Sequence, residues 1–196
     1  MAHYSKDTID KIGNSIIYIC ENVPSLNKTK LLKLLYLLEE SSAQMFHTPF
    51  FGIEFKTWRY GPVAPEIFID LSGDLSTPMM LKDYIKLEST RGGTMLVKPK
   101  KEFDDGEFSD NDITVLDNVI SKYGKKTADM LVRHLHKPGS AWDVAVKKNG
   151  LQEIFEEGIT NSSDIPVDVT LSLSNDDKNR YYSTRETWDI MANYKK

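Results

Sequence analysis

Between Leu31 and Leu38 the sequence reads LLKLLYLL, and only Lys33 and Tyr36 interrupt the leucines. A helix of this composition has almost no solvent face over two turns, so other elements must enclose it on most sides. Burying one leucine fully is worth ~1.5–3 kcal/mol, which puts the gross contribution of the run on the order of 10 kcal/mol. The fold must therefore be built around this helix. Asn27 is the expected N-cap. The ends are read as polar, with Lys28, Lys30 and Lys33 toward the start and Glu39 and Glu40 after the leucines.

At 196 residues the chain suits one domain, or one domain with an appendage. A chain of this size buries well over half its unfolded surface and needs neither a disulfide nor a metal to hold a core. The single cysteine, Cys20, lies among Ile16, Ile17, Tyr18 and Ile19 and is expected to pack inside as a free thiol, in a reducing compartment. The net charge of −4 argues against a chain whose main task is to grip a phosphate backbone. No apolar run reaches the roughly 18 residues that cross a bilayer. Charges near the N-terminus stand where a signal peptide would place its apolar segment. The expected location is cytoplasmic.

Around the leucine helix the pattern reads as helices and a little sheet. Residues 5–21 form an amphipathic helix that Pro24 closes. Phe51 to Trp58 alternates like a strand, and Gly61-Pro62 is expected to end it. Pro65 opens a short helix to about Leu71, and residues 72–82, punctuated by Gly73 and Pro78, read as loop. Asp83–Ser89 and Thr94–Lys98 read as a hairpin through Gly92-Gly93. After a charged connection Ser109 caps a helix that Gly124 ends, Thr127–His136 forms another, and Ser140 caps a third. Residues 151–157 form one more helical turn. From residue 161 the composition turns polar, with a possible strand at Val167–Leu173 and a terminal helix that Ser183 caps. The division expected is a domain over 1–160 and an appendage over 161–196, packed on it.

Motifs that carry chemistry are missing. His3, His47, His134 and His136 do not form a metal set, because His134 and His136 stand two apart on a helix and point away from each other. The acidic run from Glu102 to Asp112 lacks the spacing of a calcium loop. The sequence carries no nucleophile elbow and no phosphate-binding glycine loop. Neither a catalytic residue, a metal nor a cofactor is expected. Lysines cluster at Lys28/Lys30/Lys33, at Lys98/Lys100/Lys101 and at Lys122/Lys125/Lys126. The last set fits the negative end of a helix, and nucleic acid is not an expected partner unless the fold gathers these lysines on one face.

Two blocks of sequence resemble a known family. The first is KLLKLLY at residues 30–36 followed by WRYGPV at 58–63. The second runs from FSDNDI at 108–113 to LHKPGSAW at 135–142. Together they resemble the Panacea antitoxin domain, also described as SocA-like or phage GepA-like, from about Thr8 to Val146. One step departs from it: Lys137-Pro138-Gly139-Ser140 replaces a more compact acidic or glycine-rich link. No counterpart covers the residues after about 160.

The resemblance implies a helix-dominated α+β domain, with a small antiparallel sheet or hairpin beside the leucine helix. It implies an antitoxin of a bacterial or phage toxin–antitoxin pair, which binds and neutralises a protein toxin encoded by an adjacent gene. Delivery of a client to a cellular protease and DNA-binding autoregulation stay open beside that reading. Leu31, Leu34, Leu35, Tyr36, Gly61, Pro62, His136 and Trp142 carry the signature as structural residues. Trp58 and Tyr60, two apart, are expected to share a face and pack on the leucine helix. Arg59 then points outward as the candidate protein contact, in a group with Trp58 and Tyr60.

Overall fold

The computed structural model describes residues 4–72 and 80–194; Gly73, Pro78 and His3 lie outside them. Eight helices and two short antiparallel hairpins form the described fold, which is helix-dominated α+β. Helix α1 spans Lys6–Asn22 and α2 spans Lys28–Phe46. Strands β1 (Lys56–Trp58) and β2 (Gly61–Val63) pair, with Thr57 opposite Pro62. Helix α3 covers Pro65–Asp70, and β3 (Ile85–Ser89) pairs with β4 (Met95–Pro99). Four helices follow: α4 (Asp110–Tyr123), α5 (Ala128–Leu135), α6 (Ala141–Lys148) and α7 (Leu151–Glu156). The last, α8, spans Asn175–Tyr194.

Helix α2 is the centre, with Leu31, Leu34, Leu35, Leu37 and Leu38 wholly enclosed. The isoleucines of α1, Phe50, Phe55, Ile67, and Val115, Leu116 and Val119 of α4 pack in the same cluster. Tyr36 meets the Phe55 ring edge-on at 5.3 Å and donates its hydroxyl to Glu40. The local start signals hold. Asn27 and Ser140 each accept a backbone N–H three residues on, and Ser109 forms a reciprocal capping box with Asp112. Thr127, expected as the first residue of α5, is instead its cap and accepts the Met130 N–H. Asp112 also pairs with Lys11 at 2.9 Å, tying the first turn of α4 to α1.

Several expectations change. The charged residues of α2 are not a polar fringe: Lys30, Lys33 and Glu39 are buried, Lys33 at 2% exposure and Glu39 at none. Each has found polar partners inside, as burial requires. The extended stretch before β1 buries Phe51, Ile53 and Phe55 alternately but enters a ladder only at Lys56. The strand ends at Trp58, before Gly61-Pro62, as expected, but Pro62 itself stays in the sheet. It sits within β2, where the chain has one neighbour and the missing N–H costs no ladder bond.

Toward the C-terminus, Val167–Leu173 is turns rather than a strand, because the Asp168 carboxylate accepts from both the N–H and the hydroxyl of Thr170. Helix α8 starts eight residues earlier than Ser183, where Ser174 accepts the Asp177 N–H. Cys20 is half-buried, and burial pushes its thiol up to about 12.

Candidate functional site

Strands β1 and β2 meet at a two-residue turn, Arg59-Tyr60, so side-chain alternation stops at Trp58. Trp58 and Tyr60 therefore do not share a face. Trp58 packs edge-on against Phe68 of α3 at 4.8 Å rather than on the leucine helix. Tyr60 stands out at the tip, 57% exposed. Arg59 folds back across the backbone of Gly158, where an added Cβ would lie 3.1 Å from Nη1, and Nη1 donates to Asn161 Oδ1 at 3.4 Å.

The turn is held from below by three side chains of different elements. Lys33 of α2 donates its ammonium to the Pro62 carbonyl at 3.0 Å. Gly61 has φ +103°, and a Cβ on it would sit 3.2 Å from Lys33 Nζ and 3.6 Å from His136 Nε2. Trp142 of α6 donates its indole N–H to the Trp58 carbonyl at 2.7 Å. His136, just past α5, lies stacked on that indole. The Gly61-Pro62 pair and His136, distant in sequence, thus meet near the end of Lys33, with Trp142 stacked behind His136.

The outer edge of β1 is covered as well. The Thr57 N–H donates to Ile165 O, the Arg59 N–H to Asn161 O and the Val167 N–H to Phe55 O, at 2.7 to 3.0 Å. Ser163 donates its hydroxyl to Thr57 O at 2.6 Å. Residues 161–167 thus run along β1 as an irregular extended segment, with one isolated bridge between Lys56 and Pro166. Ile159, 69% exposed, follows Gly158, over which Arg59 folds.

Burial sets the charge of this cluster. It pushes the Lys33 ammonium down to about 7. Burial first, then the Lys33 charge, push His136 down to about 4, with Asp143 acting the other way. The imidazole is therefore neutral near pH 7, and its buried Nε2 has no hydrogen-bond partner among the described residues. Asp143 is kept ionised chiefly by the Gly139 N–H, and by Lys147. His134 takes no part here: it faces Tyr123.

Sequence reasoning overlooked Lys33, Ser163 and Asn161. A lysine set inside an otherwise apolar two-turn run was the available signal for the first. Nothing local marked the other two, which matter only through β1.

A protein-family comparison matches residues 31–143 to the family described as "Antitoxin SocA-like, Panacea domain". No curated protein and no solved structure matches the chain. The matched stretch begins at the first buried leucine of α2 and ends one residue after Trp142. It therefore takes in both the central helix and every residue that pins the β1–β2 turn except those on the 158–167 segment. Since the match covers more than half of its 196 residues, the chain belongs to the antitoxin SocA-like, Panacea domain family.

Proposed function

We propose that this chain is the antitoxin of a bacterial or phage toxin–antitoxin pair. It neutralises a protein toxin, encoded by an adjacent gene, by binding it stoichiometrically in the cytoplasm. Membership of an antitoxin-like family supports an antitoxin role in general and suggests a non-catalytic one. No helix among the described residues is long and apolar enough to cross a membrane. Residues 1–160 would form the recognising domain, and 161–196 an appendage that braces it along β1.

The observation that carries the reading is the setting of Tyr60. Its ring projects from a turn fixed by Lys33, Trp142 and Ser163, so little ordering entropy is left to lose on binding. Tyrosine and arginine are the side chains that most often dominate interface energies. Arg59 beside Tyr60, with its guanidinium 5.5 Å from that ring, and Trp58 at the base complete the contact group.

The test is a growth assay with the adjacent gene induced alone and together with this chain, followed by calorimetry on the purified pair. Growth arrest relieved by this chain, with Tyr60→Ala weakening binding at least tenfold and an unchanged melting curve, supports the reading. A harmless neighbour removes the toxin. Affinity indifferent to both Tyr60→Ala and Arg59→Ala moves the interface elsewhere.

A further inference from the structure

A second surface lies around the connection between α4 and α5. Residues 118–137 contain five Lys or Arg and a single Asp, a local balance of +4 in a chain whose net charge is −4. The fold concentrates that charge further. Lys122 Nζ and Lys126 Nζ sit 5.1 and 5.4 Å from the centroid of the Tyr123 ring, and the Tyr123 hydroxyl is 3.2 Å from His134 Nε2. Lys137, Lys126 and Lys122 are all close enough to His134 to add to burial in holding its imidazole below the usual histidine range.

Beyond the contacts of Lys122 and Lys126 with the Tyr123 ring, these lysines are not needed to cap α4. The carbonyl end of α4 is already capped from inside by Lys30, whose ammonium donates to Gly124 O at 2.6 Å. Among the described residues, none of Lys122, Lys125, Lys126 and Lys137 forms a salt bridge with a carboxylate. Glu40 feels Lys122 only as a more distant charge, and its carboxylate accepts from Tyr36 instead. Asp129 is the acidic residue closest in sequence.

The local architecture narrows the partner. The two helices are joined by a four-residue turn that contains a glycine, Gly124 to Thr127, the turn length of helix-turn-helix elements. On α5 the outward residues include Arg133 and Met130, the latter 45% exposed, three apart and so on one face. The one aromatic ring within the lysine cluster, Tyr123, is buried and offers no platform for an unstacked base. That favours backbone contacts to a duplex over stacking on a single strand.

We propose that Lys122, Lys125 and Lys126 at the α4–α5 turn, with Lys137 just past the end of α5, bind the phosphodiester backbone of a duplex nucleic acid. The contact is independent of the Tyr60 turn and of any toxin. With three or four phosphates engaged, the logarithm of affinity should fall with a slope of about −3 against the logarithm of salt. That is roughly a 60-fold loss between about 50 and about 200 mM salt.

The experiment is fluorescence anisotropy of the full chain on a labelled random-sequence DNA duplex, and on an RNA duplex, across salt concentrations. Lys125→Glu/Lys126→Glu should weaken low-salt binding at least tenfold and reduce the slope by about 2. Lys178→Glu/Arg180→Glu on α8 should leave both unchanged. If the reversed variant misfolds, Lys125→Gln/Lys126→Gln gives the same comparison. Tighter binding of one duplex type assigns the source of the phosphates. Absence of binding at low salt, or binding insensitive to the α4–α5 variants, overturns the proposal. Equal affinity for polyglutamate overturns it too, because the face would then recognise an acidic polypeptide.

Discussion

His136 lies flat on Trp142, with ring planes 1° apart and centroids 3.6 Å apart, and the same indole holds the β1–β2 turn through the Trp58 carbonyl. The stack therefore places the protonation state of His136 directly behind the turn. Folding pushes that imidazole down to about 4, against roughly 6.5 in an unfolded chain. Between those values the unfolded chain takes up a proton that the folded chain refuses. This contribution to stability is complete above about pH 6.5 and is lost as the pH falls toward 4. His136→Phe, which keeps a ring on Trp142, should flatten the acid limb. Urea midpoints that fall in parallel for both proteins from about pH 7 to about pH 4 would remove His136 as the cause.

Gly61 is required twice over. Its φ of +103° strains any residue with a Cβ, and that Cβ would crowd the buried Lys33 ammonium at 3.2 Å. Gly61→Ala is expected to cost about 1–3 kcal/mol in urea unfolding. A loss below about 0.5 kcal/mol, the scale of an ordinary surface change, would mean that the turn relaxes without strain.

Lys33 gives a signal of the opposite pH range. Its folded-state value is pushed down to about 7 by burial, while an unfolded lysine titrates near 10.4. In that interval the unfolded chain binds more protons, so stability rises as pH increases above 7. Relative to Lys33→Met, the wild-type protein should gain up to about 1.4 kcal/mol per pH unit between about pH 7 and about pH 9. The window stops there because buried tyrosines begin to matter above it. Profiles that stay parallel would show that Lys33 keeps its charge in the fold.

What could be read in the sequence was what local physics settles. The leucine run of α2 and the caps at Asn27, Ser109 and Ser140 depend on spacings of a few residues, and they stand where expected. The turn at Arg59-Tyr60 carries no Asn-Gly or Gly-Gly signal, and what fixes it comes from Lys33, Trp142 and Ser163, which lie 26 to 104 positions away in the chain. Burial of Lys33 and Glu39 was hidden for the same reason: a lysine or glutamate on a helix reads as surface until its distant partner is known. The early start of α8 was masked by NDDKNR, a polar stretch with no apolar stripe.

That start is anchored by Tyr181. Glu39 has no exposed surface, and its carboxylate accepts from the Phe50 and Phe51 N–H groups and from the Tyr181 hydroxyl at 2.6 Å. Burial raises the Glu39 carboxyl above its ordinary range, while these three donors favour the charged form. Tyr181→Phe removes one donor without emptying the space of the ring. It should cost about 1–3 kcal/mol where Glu39 is ionised. The loss should shrink as the pH falls and the carboxyl takes up its own proton, because the neutral form needs the hydroxyl less. Urea unfolding at two pH values measures the difference, and hydrogen exchange over 175–185 locates it. An equal loss at both would assign the cost to packing of α8 rather than to the buried charge. No loss, with faster exchange confined to α8, would show that the helix can detach while the core keeps Glu39 satisfied.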